Sequence, residues 1–392
     1  MKIRFSDKIR SLPTYPFAEI EQKVSNLREQ GKDVIDFGVG DPDLEVPRLI
    51  RRAMHDYVEK NPWAGYPSYQ GMRAFRQAAA KWFKQRFGVT LEPETEVASS
   101  IGSKEAVFNF HHAIINPGDY VLVPTPGYPP YSRGAGFCGA NVYFYPVGPQ
   151  NGWVPDFSAV PASVLNRTKL LWVCQPHAPT GKSLSLKQLK KIVDFAQKWG
   201  IVIASDEAYS EIWYNQPPHS MLEVSRDGVI VFQSLSKRSA MTGYRVGFVV
   251  GDERIVGAYK KTKTNIDSGT PEFVQAAAIA ALGDETHVDV MRADYQKKME
   301  ILTDTFHSMG MEIRRPDATI FLWQKVPEGM TGIEFAQKLL DPDVAVVITP
   351  GEYLSDVLAD GTNQGTGYCR FALVPTVERV KEAAKRIKKI LA

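Results

Sequence analysis

The sequence predicts an α/β fold: a large domain built on a mostly parallel sheet flanked by helices, with a smaller α+β domain after it. Three observations support this. Short apolar runs of strand character alternate with amphipathic helical patterns from about residue 49 to about residue 285. The pattern then changes to one long helix, a group of strands and a final helix. At 392 residues the chain is too long for one ordinary core. The expected division is an N-terminal arm with part of the small domain at 1–48, a large domain at 49–285 and a C-terminal small domain at 286–392.

Taken in order, Ala18 to Gln30 carries a charged helical pattern. DVIDFGVGDPDLEVP follows, and its Gly-Val-Gly-Asp-Pro run is a loop with close backbone approach. GMRAFRQAAAKWFKQRFG is a helix stopped by Gly88. EVASS is a strand, and KEAVFNFHHAII a helix with Val107, Phe110 and Ile114 on one face. DYVLVPTP, NVYFYPV and TKLLWVC are strands. SLKQLKKIVDFAQKWG is a helix with Leu186, Leu189, Ile192, Val193 and Ala196 inward, stopped by Gly200. IVIASD, GVIVFQSL and RVGFVVG follow as strands; runs this apolar are covered on both faces. THVDVMRADYQKKMEILTDTFHSMG is the long helix, and TIFLWQKV, VAVVITP and GYCRFALV are the last strands.

Net charge is +3, with 47 basic and 44 acidic residues and no long block of one sign, so no nucleic-acid surface is expected. The basic tail VKEAAKRIKKILA has the spacing of an amphipathic surface helix. Cys138, Cys174 and Cys369 lie far apart without metal-ligand spacing and read as reduced thiols, with no metal expected. The N-terminus lacks a signal-peptide core, and no run approaches the ~18 apolar residues of a membrane span. A cytoplasmic chain without membrane contact is expected.

Ligands of open α/β sheets bind beyond the carboxyl ends of the strands. Five strand ends are polar here: Gly102-Ser103-Lys104, the loop Thr125 to Tyr131, QPHAPTGK at 175–182, Asp206 with Tyr209, and Ser234-Leu235-Ser236-Lys237. The first opens a helix and suits a phosphate, although an ordinary N-cap by Ser103 fits equally well. Asp206 at that depth needs a cation or good hydrogen bonds, unless it caps a helix. A lysine desolvated or pressed against another cation loses its proton and attacks a carbonyl, and Lys237 has Arg245 downstream. Arg370 interrupts an apolar run; facing inward it suits a carboxylate, facing outward it is a surface group.

Together these segments resemble the class I and II, fold-type-I aminotransferases that use pyridoxal 5′-phosphate (PLP). SLSKRSAMTGYRVGF is similar to the family's segment around the cofactor-binding lysine, and DEAY to its strand-end Asp and Tyr. IGSKEAVF and PTPGYPPY are similar to its phosphate turn and ring-stacking loop. YPSYQGMRAFRQAAA resembles a segment that reaches the partner subunit, and GYCRFALV the substrate-carboxylate strand. LPTYPFAEI and DFGVGDPDLEVP resemble the branch that includes LL-diaminopimelate, aspartate and alanine enzymes. The likeness spans nearly the whole chain.

The resemblance implies roles. Lys237 would hold PLP through its amine and shuttle a proton, Asp206 would pair with the pyridine nitrogen, and Tyr209 would donate to the ring oxygen. Tyr128 would stack on the ring. Ser103, Lys104, Ser234, Ser236 and Arg245 would hold the phosphate; Tyr66 and Ser268 would reach the neighbouring subunit's phosphate. Arg370, Gly40 and Tyr15 would meet the substrate. A homodimer with shared sites and a transfer of nitrogen from an amino acid to a 2-oxo acid follow. One position departs from the family: Ala178 stands where an Asn usually donates to the ring oxygen, so His177 or a water would have to replace it. That departure keeps open another PLP enzyme on the same fold, such as a β-lyase, a decarboxylase or an amino-acid oxidase. A non-enzymatic PLP-binding protein is a third alternative.

Overall fold

The apolar runs form twelve strands: β1 (Ile35–Asp36), β2 (Val97–Ser100), β3 (Tyr120–Thr125), β4 (Asn141–Pro146), β5 (Thr168–Cys174), β6 (Val202–Asp206), β7 (Val229–Ser234), β8 (Gly247–Gly251), β9 (Phe321–Lys325), β10 (Val346–Val347), β11 (Thr349–Pro350) and β12 (Tyr368–Ala372). They belong to a computed structural model that describes residues 1, 3–10, 12, 18–42, 44–63 and 65–391.

Seven strands make one sheet in the order β2-β8-β7-β6-β5-β3-β4. β8 runs antiparallel to both its neighbours, β2 and β7, and the other pairings in this sheet are parallel. The expected α/β architecture with a mostly parallel sheet is therefore present. Alternation along each strand splits the core in two. Leu171, Val173, Ile203, Val231 and Phe248 pack with Phe83 and Ile192 of the helices on one face. Leu170, Trp172, Ala204, Ile230 and Phe232 pack with Val107, Phe110 and Tyr131 on the other. Each such side chain contributes about 1.5–3 kcal/mol on burial.

The helix stops read from glycine hold. The helix Arg73–Phe87 ends at Gly88 (φ 72°), and Leu186–Trp199 ends at Gly200 (φ 66°) after starting in a Ser185–Gln188 capping box. Two details differ. Leu186 is 42% exposed, not inward. It is the first residue after the cap, and helical side chains lean toward the N-terminus, which carries it past the sheet. The helix expected through KEAVFNFHHAII breaks into Ser103–Asn109 and His111–Ile114, leaving Ile114 only half-buried. His111 Nδ1 sits 3.0 Å from the Phe108 carbonyl oxygen, an acceptor the ladder would otherwise use.

VAVVITP also divides. β10 pairs in parallel with β1, whereas β11 pairs with β12, placing Thr349 opposite Arg370. β12 pairs with β9. Ile35 and Phe37 share a core with Phe306, Phe321, Phe371 and Ile387, so the N-terminal strand folds with the C-terminal elements. The helices Arg48–Lys60, Pro130–Phe137, Glu253–Lys263 and Glu272–Leu282 were not anticipated from the sequence.

Candidate active site

A cavity of about 790 Å³ opens where β5, β6 and β7 end, facing β9 and β12. Twelve of the residues singled out in the sequence line it: Gly40, Ser103, Lys104, Tyr128, Asp206, Tyr209, Ser234, Ser236, Lys237, Arg245, Arg370 and Ala178.

Asp206 is the last residue of β6, aligned with Cys174 and Phe232 on the flanking strands. It is buried, and its two hydrogen bonds come from uncharged donors: Tyr131 Oη at 2.8 Å and the Ala208 N–H at 3.2 Å. Burial pushes its carboxyl above the usual range, and those two donors only partly oppose it. A buried carboxylate without a cation of its own is a site prepared for one. Tyr131 was not singled out. It is wholly buried and stacked on Trp172 at 4.7 Å, and Trp172 Nε1 donates to His111 Nε2 at 2.9 Å. Nothing in the sequence sets Tyr131 apart from Tyr128.

Lys237 lies in the short helix Leu235–Arg238, whose first turn is capped by Ser234 through the Ser236 N–H at 3.2 Å. Its amine donates to the Gly40 carbonyl. Burial draws it down to about 8, with Arg245 and Arg370 adding to the shift and Asp41 opposing it. A fraction of the amine is therefore neutral near physiological pH, as a nucleophile or base requires.

Ser103, Ser234, Ser236, Lys104 and Arg245 give the cavity a cationic, hydroxyl-rich lining suited to an anion. Among the described residues neither cation is ion-paired. Arg245 (φ 54°) donates to the Thr242 carbonyl at 2.7 Å. Gly102 (φ 72°) leaves the room this arginine occupies, because a Cβ there would run into the guanidinium. A non-glycine residue at positive φ is strained, and such strain is kept where surroundings fix it.

At the other end, Arg370 faces inward from β12. It donates to the Gly38 carbonyl at 2.5 Å and to Thr349 Oγ1 at 3.1 Å, and its Nε has no partner. The guanidinium lies 4.6 Å from the Phe321 ring centre, which also meets Tyr209 edge-on at 5.5 Å. Arg370 is open to the cavity but remote from bulk water, and burial draws it down to about 10. An inward arginine with no carboxylate partner among the described residues is suited to receive one. Burial likewise holds Tyr209 protonated and raises Tyr128 to about 12, so both remain hydroxyl donors.

The loop QPHAPTGK closes one wall. Ala178 and Pro179 face the cavity; His177 does not line it, and its Nδ1 lies 2.8 Å from Thr180 Oγ1. The expected stand-in donor is thus turned away. Asp317 pins the loop, accepting from Ser183 N–H at 3.0 Å and Lys182 Nζ at 3.1 Å while its own N–H donates to Gly181. Arg314 donates to Thr180 as well.

Tyr66 and Ser268 are not in this cavity. Tyr66 is 90% exposed, and Ser268 is exposed too. Tyr15 lies outside the described residues. Among the described residues no helix is long and apolar enough to cross a membrane, and no acidic, histidine or cysteine cluster could hold a metal.

Comparison with known proteins gives one consistent result. The model of the family "aminotransferase class I and II" matches residues 32–387. An LL-diaminopimelate aminotransferase of Aquifex aeolicus is 43% identical over 98% of this chain and 99% of its own length. One of Nitratidesulfovibrio vulgaris is 40% identical, covering 99% of both chains. The solved apo structure of BacF from Bacillus subtilis superposes with a TM-score of 0.92 at 31% identity, covering 100% of this chain and 99% of that one.

Proposed function

The chain belongs to the class I and II aminotransferase family, and from that premise we propose that its cavity holds PLP and that LL-diaminopimelate is the amino donor. It is a transaminase, with a 2-oxo acid such as 2-oxoglutarate as the proposed acceptor. The name shared by the Aquifex and Nitratidesulfovibrio relatives supports the donor. One observation carries the cofactor: a buried Asp206 with only neutral donors shares a cavity with an amine lowered to about 8 and an unpaired cationic end.

The donor set fits the group. Lys104, Arg245, Ser103, Ser234 and Ser236 would hold the phosphate, Lys237 would attach the carbonyl carbon, and Tyr128 would cover the ring. When bound, PLP supplies a carbonyl that captures amines and a ring that withdraws electrons from the substrate's α-carbon. Asp206 would hold the proton on the ring nitrogen by its negative charge. Tyr209 would donate to the ring oxygen, without the usual Asn because Ala178 has no donor. Arg370 would bind and orient the substrate carboxylate, and the Lys237 amine would serve as the base and acid that moves the α-proton. Phe321 of β9 and Arg370 of β12 line this end.

Supporting a homodimer, Trp63 and Tyr66 are each 90% exposed and Val39 is 64% exposed beside the cavity mouth. Tyr66 and Ser268 would then serve the neighbour's phosphate, and Tyr15 its substrate pocket. The proposed setting is cytoplasmic, and the proposed domain division is 1–48, 49–285 and 286–392. The test is a screen of amino donors with 2-oxoglutarate, measuring glutamate formed. LL-diaminopimelate should lead; pyruvate with ammonia, carbon dioxide or peroxide in place of glutamate would refute transamination.

A further inference from the structure

Burying an ammonium is costly unless it is paired and hydrogen-bonded, so the partners of a buried lysine are informative. Lys263 ends the helix Glu253–Lys263, and its side chain is 0% exposed. Its Nζ lies 2.7 Å from Asp267 Oδ2 and 3.4 Å from Glu105 Oε2. Neither partner is idle. Glu105 Oε2 also accepts the Ile101 N–H at 3.1 Å, and Oε1 accepts from Asn109 at 3.1 Å. The carboxylate thereby grips the 101–104 turn that brings Ser103 and Lys104 to the cavity. Asp267 Oδ1 accepts the Gly269 N–H at 2.7 Å, fixing the loop on which Ser268 stands exposed. Gly269 (φ 91°) lies so near the Ser68 carbonyl that a Cβ would come within 2.7 Å of that oxygen. The loops bearing Ser268 and Tyr66 are therefore packed as one unit.

We propose that Lys263 is a positioning residue for phosphate binding. Its charge holds Glu105, and so the 101–104 turn of its own cavity. It also holds Asp267, and so the loop that offers Ser268 to a second copy. One buried ammonium then sets both halves of a phosphate cup. The inference rests on the PLP reading above and names a residue that touches neither cofactor nor substrate.

Lys263→Met keeps the length and apolar stem and removes the charge. PLP and pyridoxal, which lacks the phosphate, are titrated separately into the cofactor-free full chain and followed by absorbance. The PLP dissociation constant should rise about ten-fold, the scale of one lost charge-assisted hydrogen bond, with that for pyridoxal unchanged. If Lys263→Met does not fold, Glu105→Gln reads the same linkage, since Lys263 keeps Asp267. An unchanged PLP constant, or PLP and pyridoxal weakened in step, overturns the proposal. A wild-type chain that binds PLP no better than pyridoxal overturns the PLP reading itself.

Discussion

Tyr131→Phe removes one hydroxyl and little else. The ring still stacks on Trp172, and the Asp206 carboxylate keeps only the Ala208 N–H at 3.2 Å. A hydrogen bond to a charged group contributes about 1.5–3 kcal/mol, and about 1.4 kcal/mol is one pKa unit. The Asp206 carboxyl, already raised by burial, should therefore climb further when this donor is lost. The sign follows from which form acts. In its proposed role Asp206 works ionised, the form that prevails above its pKa, so a higher pKa moves the acid limb of kcat/KM to higher pH. The basic limb stays where it is. The PLP dissociation constant should rise by about ten- to a hundred-fold for the same reason. The assay is a pH profile of kcat/KM for wild type and variant, with a PLP titration and thermal unfolding as a control for the fold. A folded variant with an unmoved acid limb and unchanged PLP affinity would show that Tyr131 does not set the charge of Asp206.

Three further outcomes are expected. In its proposed role Lys237 attacks as the neutral amine, so capture of PLP by the cofactor-free chain should speed up with pH to an inflection near 8; an inflection near the ordinary 10.5 refutes this. Arg370→Met should lower kcat/KM for the amino donor by about a hundred-fold or more, since it strips a desolvated charge from the carboxylate end; steady-state rates with intact PLP binding check it. Ala178→Asn adds a donor on the ring-oxygen side, so the absorbance of bound PLP should titrate at lower pH than in wild type. No shift would mean that the loop's side chain does not reach the ring.

The parallel sheet was legible because strands such as Leu170–Val173 are apolar on both faces, and Gly88 and Gly200 end helices that need a left-handed residue. Asp206, Lys237 and Arg370 were legible because each is a charge set against an apolar strand. Other features leave no such trace. The division of VAVVITP between two sheets is a change of partner at Ile348, and apolar periodicity does not encode partners. Tyr131 sits in a proline-rich segment where a buried and an exposed tyrosine look alike. Lys263 and its two acids are separated by up to 158 positions, and only the fold makes them neighbours. The outward aim of Tyr66 and Ser268 is likewise a property of loop packing.

The Asp317 clasp on QPHAPTGK has a geometric corollary. Four residues after Asp317, Phe321 begins β9, which carries β12 and Arg370 with it. The Ala178 wall follows β5 of the large sheet and is also tied to the residue that leads into β9, so it is surveyed from both frames, whereas Lys104 and Arg245 are surveyed from the large sheet. A group seated across the cavity measures the offset of the two frames.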